Sequence, residues 1–473
     1  MNTNLLSFYN NQKRFFRQPI CGLFMIGLAG ILSFSKRESI AKIQPQKLEN
    51  SLYTNQVLDK WMGMQIHLMA HTQASFNGPF IRIYAYSGIV AYASLVPAIK
   101  EYSSPKFLIS RLNNMPALPN PEPGKKIYGP ASLNAALAFM NRNMFPMAST
   151  ESKAAIDSLE NALKISFYSE VEPAAITYSA EYGRQLARII FQWAETDGYK
   201  KGNESYSPPE GKGRWKPTAP LYAKAASPYW GLLRTIVPGS NEQTEPLPPP
   251  EYSEDTAAVF YKMVRQVYDI SKTITAEQKN IAFFWKDINP GVTAPGHWLN
   301  ILRQVIQKEN ASLEKAAYAY ALSGIALNDT WISSWRTRYT YNVLRPISYI
   351  QTVMGYTDWT PVIPTPPHPE YPGGHGALSS SVAEVLTELF GDNYEFTDHT
   401  YDHLNMAPRS YSSFRAIAEE AAISEVYGGI HYTLSVEVGL QQGKDVTQNI
   451  LFILLNKGSG VTRRNQGIQS ANH

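Results

Sequence analysis

Cysteine is nearly absent: the 473-residue chain holds one, Cys21, close to its start. If the N-terminal segment is removed near Ser35, the mature chain has none, which excludes disulfides, cysteine-ligated zinc and thiol nucleophiles. A strong charge of one sign is missing too. The net charge is +4, the lysines and arginines are scattered, and no basic run with interleaved aromatics marks a nucleic-acid surface. Period-two strands bounded by turns are scarce, and internal repeats are not evident. Beyond the first 35 residues we expect no further apolar run near the roughly 20 residues that span a bilayer, so the rest reads as soluble.

What the chain does have begins at its N-terminus. Lys13, Arg14 and Arg17 precede the mostly apolar stretch from Ile20 to Phe34, after which charge returns at Lys36 and Arg37. This is the layout of a secretory signal and predicts an exported protein, periplasmic or extracellular, with an uncleaved anchor as the alternative. Cys21 opens the apolar stretch instead of following it, so it does not stand where a lipid-modified cysteine would.

Residues 79–98, 174–195, 255–275, 298–326 and 374–390 carry apolar residues three and four apart, the spacing of helices with a buried face. The segment from about 200 to 252 is rich in proline and turn formers, yet it holds Tyr206, Trp215, Tyr222, Tyr229 and Trp230. Flexible linkers seldom carry so many aromatics. The expectation is an all-α fold, one large helical domain over about 50–457, with an irregular crossover packed on its body.

Four of the nine histidines, His368, His375, His399 and His403, fall within 368–403, and His431 follows. Three stretches around them suggest chemistry. In "WISSWRTRYTYNVLRPISYI", Arg338 and Arg345 are seven apart, two helical turns, which predicts projection from one face beside Trp331, Trp335 and Asn342. Two guanidiniums beside tryptophans suit a partly buried anion, although surface arginines with snorkelling stems give the same pattern. In "HPEYPGGHGALSSS", Gly373 and Gly374 let backbone approach a ligand at a helix start, where free amides favour an anion, and His375 stands beside it able to transfer a proton. A glycine turn with a capping histidine is the plainer alternative. In "SYSSFRAIAEEAAISEVYGGIHYTL", Phe414, Ile417, Ala418, Ala421 and Glu425 share a helix face that Gly428-Gly429 ends, and His431 follows. Glu425 therefore points inward, where a carboxylate needs a cation or a donor, or else a proton.

Together the three stretches resemble the vanadium-dependent haloperoxidases and the related type 2 phosphatidic acid phosphatases. The likeness to the bacterial secreted haloperoxidase-like group extends to "LMAHTQASFNGPFIRIYAYSGIVAYASLVP", "QLARIIFQWAETDGY", "GRWKPTAP", "TAEQKNIAFFWKD" and "PPHPEYPGGHGA", covering most of residues 57–455. It implies an all-helical bundle with the oxyanion pocket in the C-terminal half, about 298–457. It also implies that Arg338 and Arg345 supply cations to vanadate or phosphate, with Arg338 where lysine is expected. Gly374 would give an amide and His375 would act as acid and base. His431 would bind vanadium, or act as nucleophile in a phosphatase. His368 stands where bromide-oxidising members carry histidine, a halide-site candidate.

Three positions depart from that pattern. Gly373 replaces a serine, Glu425 an arginine and Ser435 an acidic residue, so three cations become two cations and a carboxylate. The resemblance implies halide oxidation by hydrogen peroxide through vanadate, weakened by these changes. Glu425 is expected either to pair with Arg338 or Arg345 and fill the place of an anion, or to be protonated and donate to one. The alternatives are a catalytically silent secreted scaffold or binding protein with a self-blocked pocket, a phosphomonoesterase using His431, and a zinc or iron site of His375, His431 and Glu425. Expected partners are small anions and peroxide, with no nucleic acid and no membrane beyond the N-terminal segment. His399 and His403 are expected in a surface loop near the pocket mouth.

Overall fold

The structure is a computed structural model that describes residues 53–72, 78–99, 105–288 and 291–455. The expected export signal, with Cys21, lies outside these residues. The described residues belong to one compact unit that begins at Leu48.

Fourteen helices and one short two-stranded ribbon are found among the described residues. The N-terminal half contributes α1 (Gln56–His71), α2 (Gly78–Leu95), α3 (Pro105–Ser110), α4 (Gly129–Met144), α5 (Thr150–Ser166) and α6 (Pro173–Ala194). After the proline-rich crossover come α7 (Val259–Thr273), α8 (Ala276–Phe284), α9 (Ala294–Lys308), α10 (Leu313–Tyr341), α11 (Pro346–Thr352) and α12 (Gly374–Phe390). The antiparallel strands β1 (Phe396–Asp398) and β2 (Arg409–Tyr411) follow, then α13 (Phe414–Tyr427) and α14 (Thr433–Leu455).

Two corrections to the sequence reading have simple causes. The periodic stretch 298–326 is two helices, because α9 ends at Lys308, Asn310 turns left-handed, and Ser312 starts α10 by accepting from the Lys315 amide. The stretch Gly78–Ala98 is long and apolar enough to cross a membrane, contrary to expectation, but 89% of its hydrophobic window is buried. It is a core helix, apolar all round because neighbours cover it all round.

α2 and the 29-residue α10 form the central crossing. Backbones meet there: a Cβ on Gly88 would lie 2.7 Å from the Tyr320 carbonyl oxygen, and one on Gly324 would lie 2.7 Å from Cα of Ala85. The crossover is anchored to α10 by Asp329, whose buried carboxylate accepts from the amides of Ile236 and Val237 and from Ser240. Trp215 and Trp230 are buried, so this segment is packed structure, as its aromatics imply. α12 and α14 cross on glycines in the same way, with Gly439 against the Gly373 carbonyl and Gly443 against that of Ala377.

Candidate active site

The two arginines reach one place, though not along one helix. α10 ends at Tyr341, Asn342 takes a left-handed turn, and Arg345 stands in extended conformation at the cap of α11. The chain bend brings both guanidiniums, each fully buried, onto His368. Nη1 of Arg338 lies 2.5 Å, and Nη2 of Arg345 2.8 Å, from Nδ1 of His368. An imidazole nitrogen between two guanidiniums must be the acceptor, so Nδ1 carries no proton. Burial first, and then both arginines, hold His368 well below the ordinary histidine range. His368, the halide-site candidate, is therefore engaged as a neutral acceptor.

All the other guanidinium nitrogens except Nε of Arg338 also donate to protein. Arg338 donates through Nη1 to the Pro369 carbonyl at 2.6 Å and through Nη2 to the Pro372 carbonyl, and its guanidinium lies over the Trp335 ring. Arg345 donates to the carbonyls of His368 at 2.9 Å and Ile430 at 2.8 Å, and to Nε2 of His431 at 2.9 Å. Burial presses on the charge of both arginines, but a guanidinium keeps its proton inside proteins.

His375 is the second residue of α12, as its double glycine predicts. Its Nδ1 lies 3.2 Å from Oε1 of Glu425 and its Nε2 lies 3.3 Å from Oδ2 of Asp287. Burial alone would lower this imidazole. The Glu425 charge and the hydrogen bonds of both carboxylates prevail and hold it at about 10, a stable imidazolium at neutral pH.

His431 follows the left-handed Gly429, and Glu370 aims it. Oε1 of Glu370 accepts from Nδ1 of His431 at 2.8 Å and from the Tyr432 amide at 2.9 Å, while Oε2 accepts from Ser435 at 2.6 Å. With the proton on Nδ1, Nε2 keeps its lone pair, which the Arg345 donor confirms. Burial raises Glu370 to about 7 against these bonds. Burial, and then Arg345 and Arg338, hold His431 well below the usual value.

Glu425 is inward, buried, and shares its face with Phe414, Ile417, Ala418 and Ala421. It does not pair with either arginine. Its partners are the histidines: Oε1 is the contact of His375, and Oε2 lies 3.6 Å from Nε2 of His431 with no hydrogen-bond partner. The arginines look elsewhere: the carbonyls of Pro369 and Pro372 take the terminal nitrogens of Arg338, and the His368 ring, the Ile430 carbonyl and His431 take those of Arg345.

Gly373 and Gly374 are close-packing positions. A Cβ on Gly373 would lie 2.8 Å from Cα of Val436, and its amide donates to the Ser435 carbonyl at 2.7 Å. A Cβ on Gly374 would lie 3.2 Å from Nη2 of Arg338. The backbone of α14 thus fills the space that a side chain at Gly373 would need. His399 is exposed and held by Asp402, away from these contacts. Arg409 and Arg415 bind Glu420 and Glu384, so neither lends charge to the pocket.

With this geometry in place, comparison with known proteins is direct. The VCPO second helical-bundle domain matches residues 318–455, the part that holds both arginines and all three histidines of the pocket. A bacterial vanadium-dependent iodoperoxidase structure is similar over 84% of this chain and 96% of its own, at 32% identity and a TM-score of 0.77. The chain belongs to the vanadium haloperoxidase family. Holo and apo structures of a bacterial vanadium-dependent chloroperoxidase, each 16% identical, share the fold with TM-scores of 0.62 and 0.59. Among curated proteins nothing matches. Residues that sequence reasoning passed over, Glu370, Asp287, His297 and Asp398, supply most of the pocket's buried carboxylate and imidazole contacts. Glu370 was legible as an acid inside the proline-held approach. His297 was legible as a lone histidine on the apolar face of α9.

Proposed function

We propose that this haloperoxidase-family protein carries an oxyanion pocket filled by its own carboxylate, so that vanadate is held weakly and halide oxidation by peroxide is strongly reduced. The observation that carries the reading is the placement of Glu425 against both His375 and His431, the two histidines to which the resemblance assigns acid–base and vanadium-binding roles.

Whether the residues present fit vanadate can be judged from their donors. An oxyanion needs inward hydrogens and positive charge. Of the guanidinium nitrogens, every one except Nε of Arg338 already donates to protein. The atom that faces His431 is the unpaired Oε2 of Glu425, an acceptor that repels another anion. The residues do not fit the group as the resemblance would place it. Glu425 instead satisfies His375 as an anion's oxygen would, and the Glu370 carboxylate fixes the tautomer of His431 without any bound ion.

A carboxylate a few ångströms from an incoming anion opposes it by about 1.5 to 4 kcal/mol at an effective dielectric near 20. That corresponds to about one to three orders of magnitude in affinity. The N-terminal Lys13, Arg14 and Arg17 before an apolar stretch support an exported protein whose ligands are small anions. The test is peroxide-dependent oxidation of iodide with added vanadate, comparing the natural chain with Glu425→Arg. The reading expects the variant to be at least about tenfold faster; equal rates contradict it.

A further inference from the structure

We propose that Asp287 is a positioning residue for His375, and that His297 and Asp398 hold Asp287 in place behind it. The four residues form one chain of alternating carboxylates and imidazoles, buried except at His375, which is partly exposed. Asp398 Oδ2 lies 2.7 Å from His297 Nε2, His297 Nδ1 lies 2.8 Å from Asp287 Oδ1, and Asp287 Oδ2 lies 3.3 Å from His375 Nε2.

Besides α12, which carries His375, three separate elements build this chain, which makes it a constructed feature and not a run of neighbours. Asp287 comes from the α8–α9 connection, His297 from α9 and Asp398 from the end of β1. Asp287 has a left-handed backbone, φ 48°, a conformation few side chains adopt without a surrounding that demands it. Its Oδ1 also accepts from Tyr401 at 2.7 Å, so Oδ2 is the oxygen left to face His375. Asp398 is fixed in turn by the amide and hydroxyl of Thr400 at 2.9 and 2.6 Å, and by Gln304 at 3.2 Å. His297 has no exposure at all and lies flat on Trp285, ring centres 4.4 Å apart and planes 16° from parallel.

A ring with a carboxylate at each nitrogen is held in rotation and carries a proton on both. His297 meets this condition with Asp287 and Asp398, and His375 meets it with Asp287 and Glu425. Asp287 is the shared link. The groups facing His375 are Asp287 from the α8–α9 connection and Glu425 from α13, with His368 and His431 as the neutral imidazoles that sense its charge. Those facing His297 are Asp287, Asp398 and Tyr401. Burial opposes charge on His297, and the two aspartates overcome it to hold the ring at about 9. The inference is independent of whether Glu425 excludes vanadate, since its readout is the protonation of His375 itself.

The experiment is histidine-selective 13C and 15N NMR on the full chain, with His297 and His375 assigned by loss of signal in His297→Gln and His375→Gln. In the natural protein near neutral pH both rings show protons on both nitrogens; a neutral His297 or His375 overturns the proposal. In Asp287→Asn the midpoints of both His375 and His297 fall by about one to three pH units, the usual effect of losing an opposite charge at this range. In Asp398→Asn the His297 midpoint falls, and that of His375 falls by less than in Asp287→Asn, since Asp398 acts on it only through Asp287. A His375 midpoint unmoved by Asp287→Asn shows that Asp287 only fills space, and ends the proposal.

Discussion

Oε1 of Glu425 lies 3.2 Å from Nδ1 of His375, and this contact sets the charge of the pocket. The Glu425 charge is the strongest of the influences that raise His375 against its burial. Glu425→Gln keeps the shape and removes the charge, so the His375 midpoint, held at about 10, should fall by about one unit or more. NMR titration of the labelled variant checks this. A midpoint that stays where it was would mean that Asp287 alone holds the proton.

Placing at Gly373 the serine that the resemblance implies should harm this protein. A Cβ at Gly373 meets Cα of Val436 at 2.8 Å, closer than real contacts allow, and α14 can move only by breaking its glycine crossing with α12. Gly373→Ser should destabilise the fold by about 1 to 3 kcal/mol, the usual range for forced overpacking. Urea unfolding measures it, and an unchanged midpoint would show that α14 shifts freely.

Glu370 accepts from three buried donors, the Nδ1 of His431, the Tyr432 amide and the Ser435 hydroxyl. Glu370→Leu leaves all three without a partner and should lower stability by about 3 kcal/mol or more. Glu370→Gln retains an acceptor and should cost less. Similar losses for both would mean that volume, not hydrogen bonding, is what this position supplies.

Four histidines, three buried and His375 partly buried, give stability two opposite pH arms. His297 and His375 are held at about 9 and about 10, above the value near 6.5 of an unfolded chain. Their contribution is complete below about 6.5 and is lost as pH rises through those values. His368 and His431 are held well below the ordinary value, so their contribution is present above about 6.5 and is lost as pH falls. Glu370, raised to about 7, opposes the acid arm, since its share is largest below about 4.5 and is lost by 7. Stability to urea should therefore fall as pH rises from about 7 to about 9.5. In Asp287→Asn that alkaline arm should flatten, and a flat arm in the natural protein would contradict the charge assignment.

The fold was largely legible because buried helices advertise themselves at three and four spacing, and the inward face of α13 from Phe414 to Glu425 was read correctly from that alone. The residues that converge were also legible: Arg338, Arg345, His368, His375, Glu425 and His431 do share one pocket. Helical spacing misled where it assumed one helix through Arg338 and Arg345, since left-handed Asn342 interrupts it. The pairing of Glu425 was not legible either. It depends on which acceptors reach the guanidiniums first, and the carbonyls of a proline-held turn have no side-chain signature. Asp287, His297 and Asp398 are spread over 112 residues of sequence and meet only through the packing of α9 against β1.

The most direct measurement of the central claim is a vanadate titration of the natural chain beside Glu425→Arg, followed by calorimetry at neutral pH. Removal of the carboxylate and gain of a cation should tighten binding by about tenfold to a thousandfold. Equal affinity in the two chains, or tight binding by the natural chain with Glu425 in place, would contradict the account.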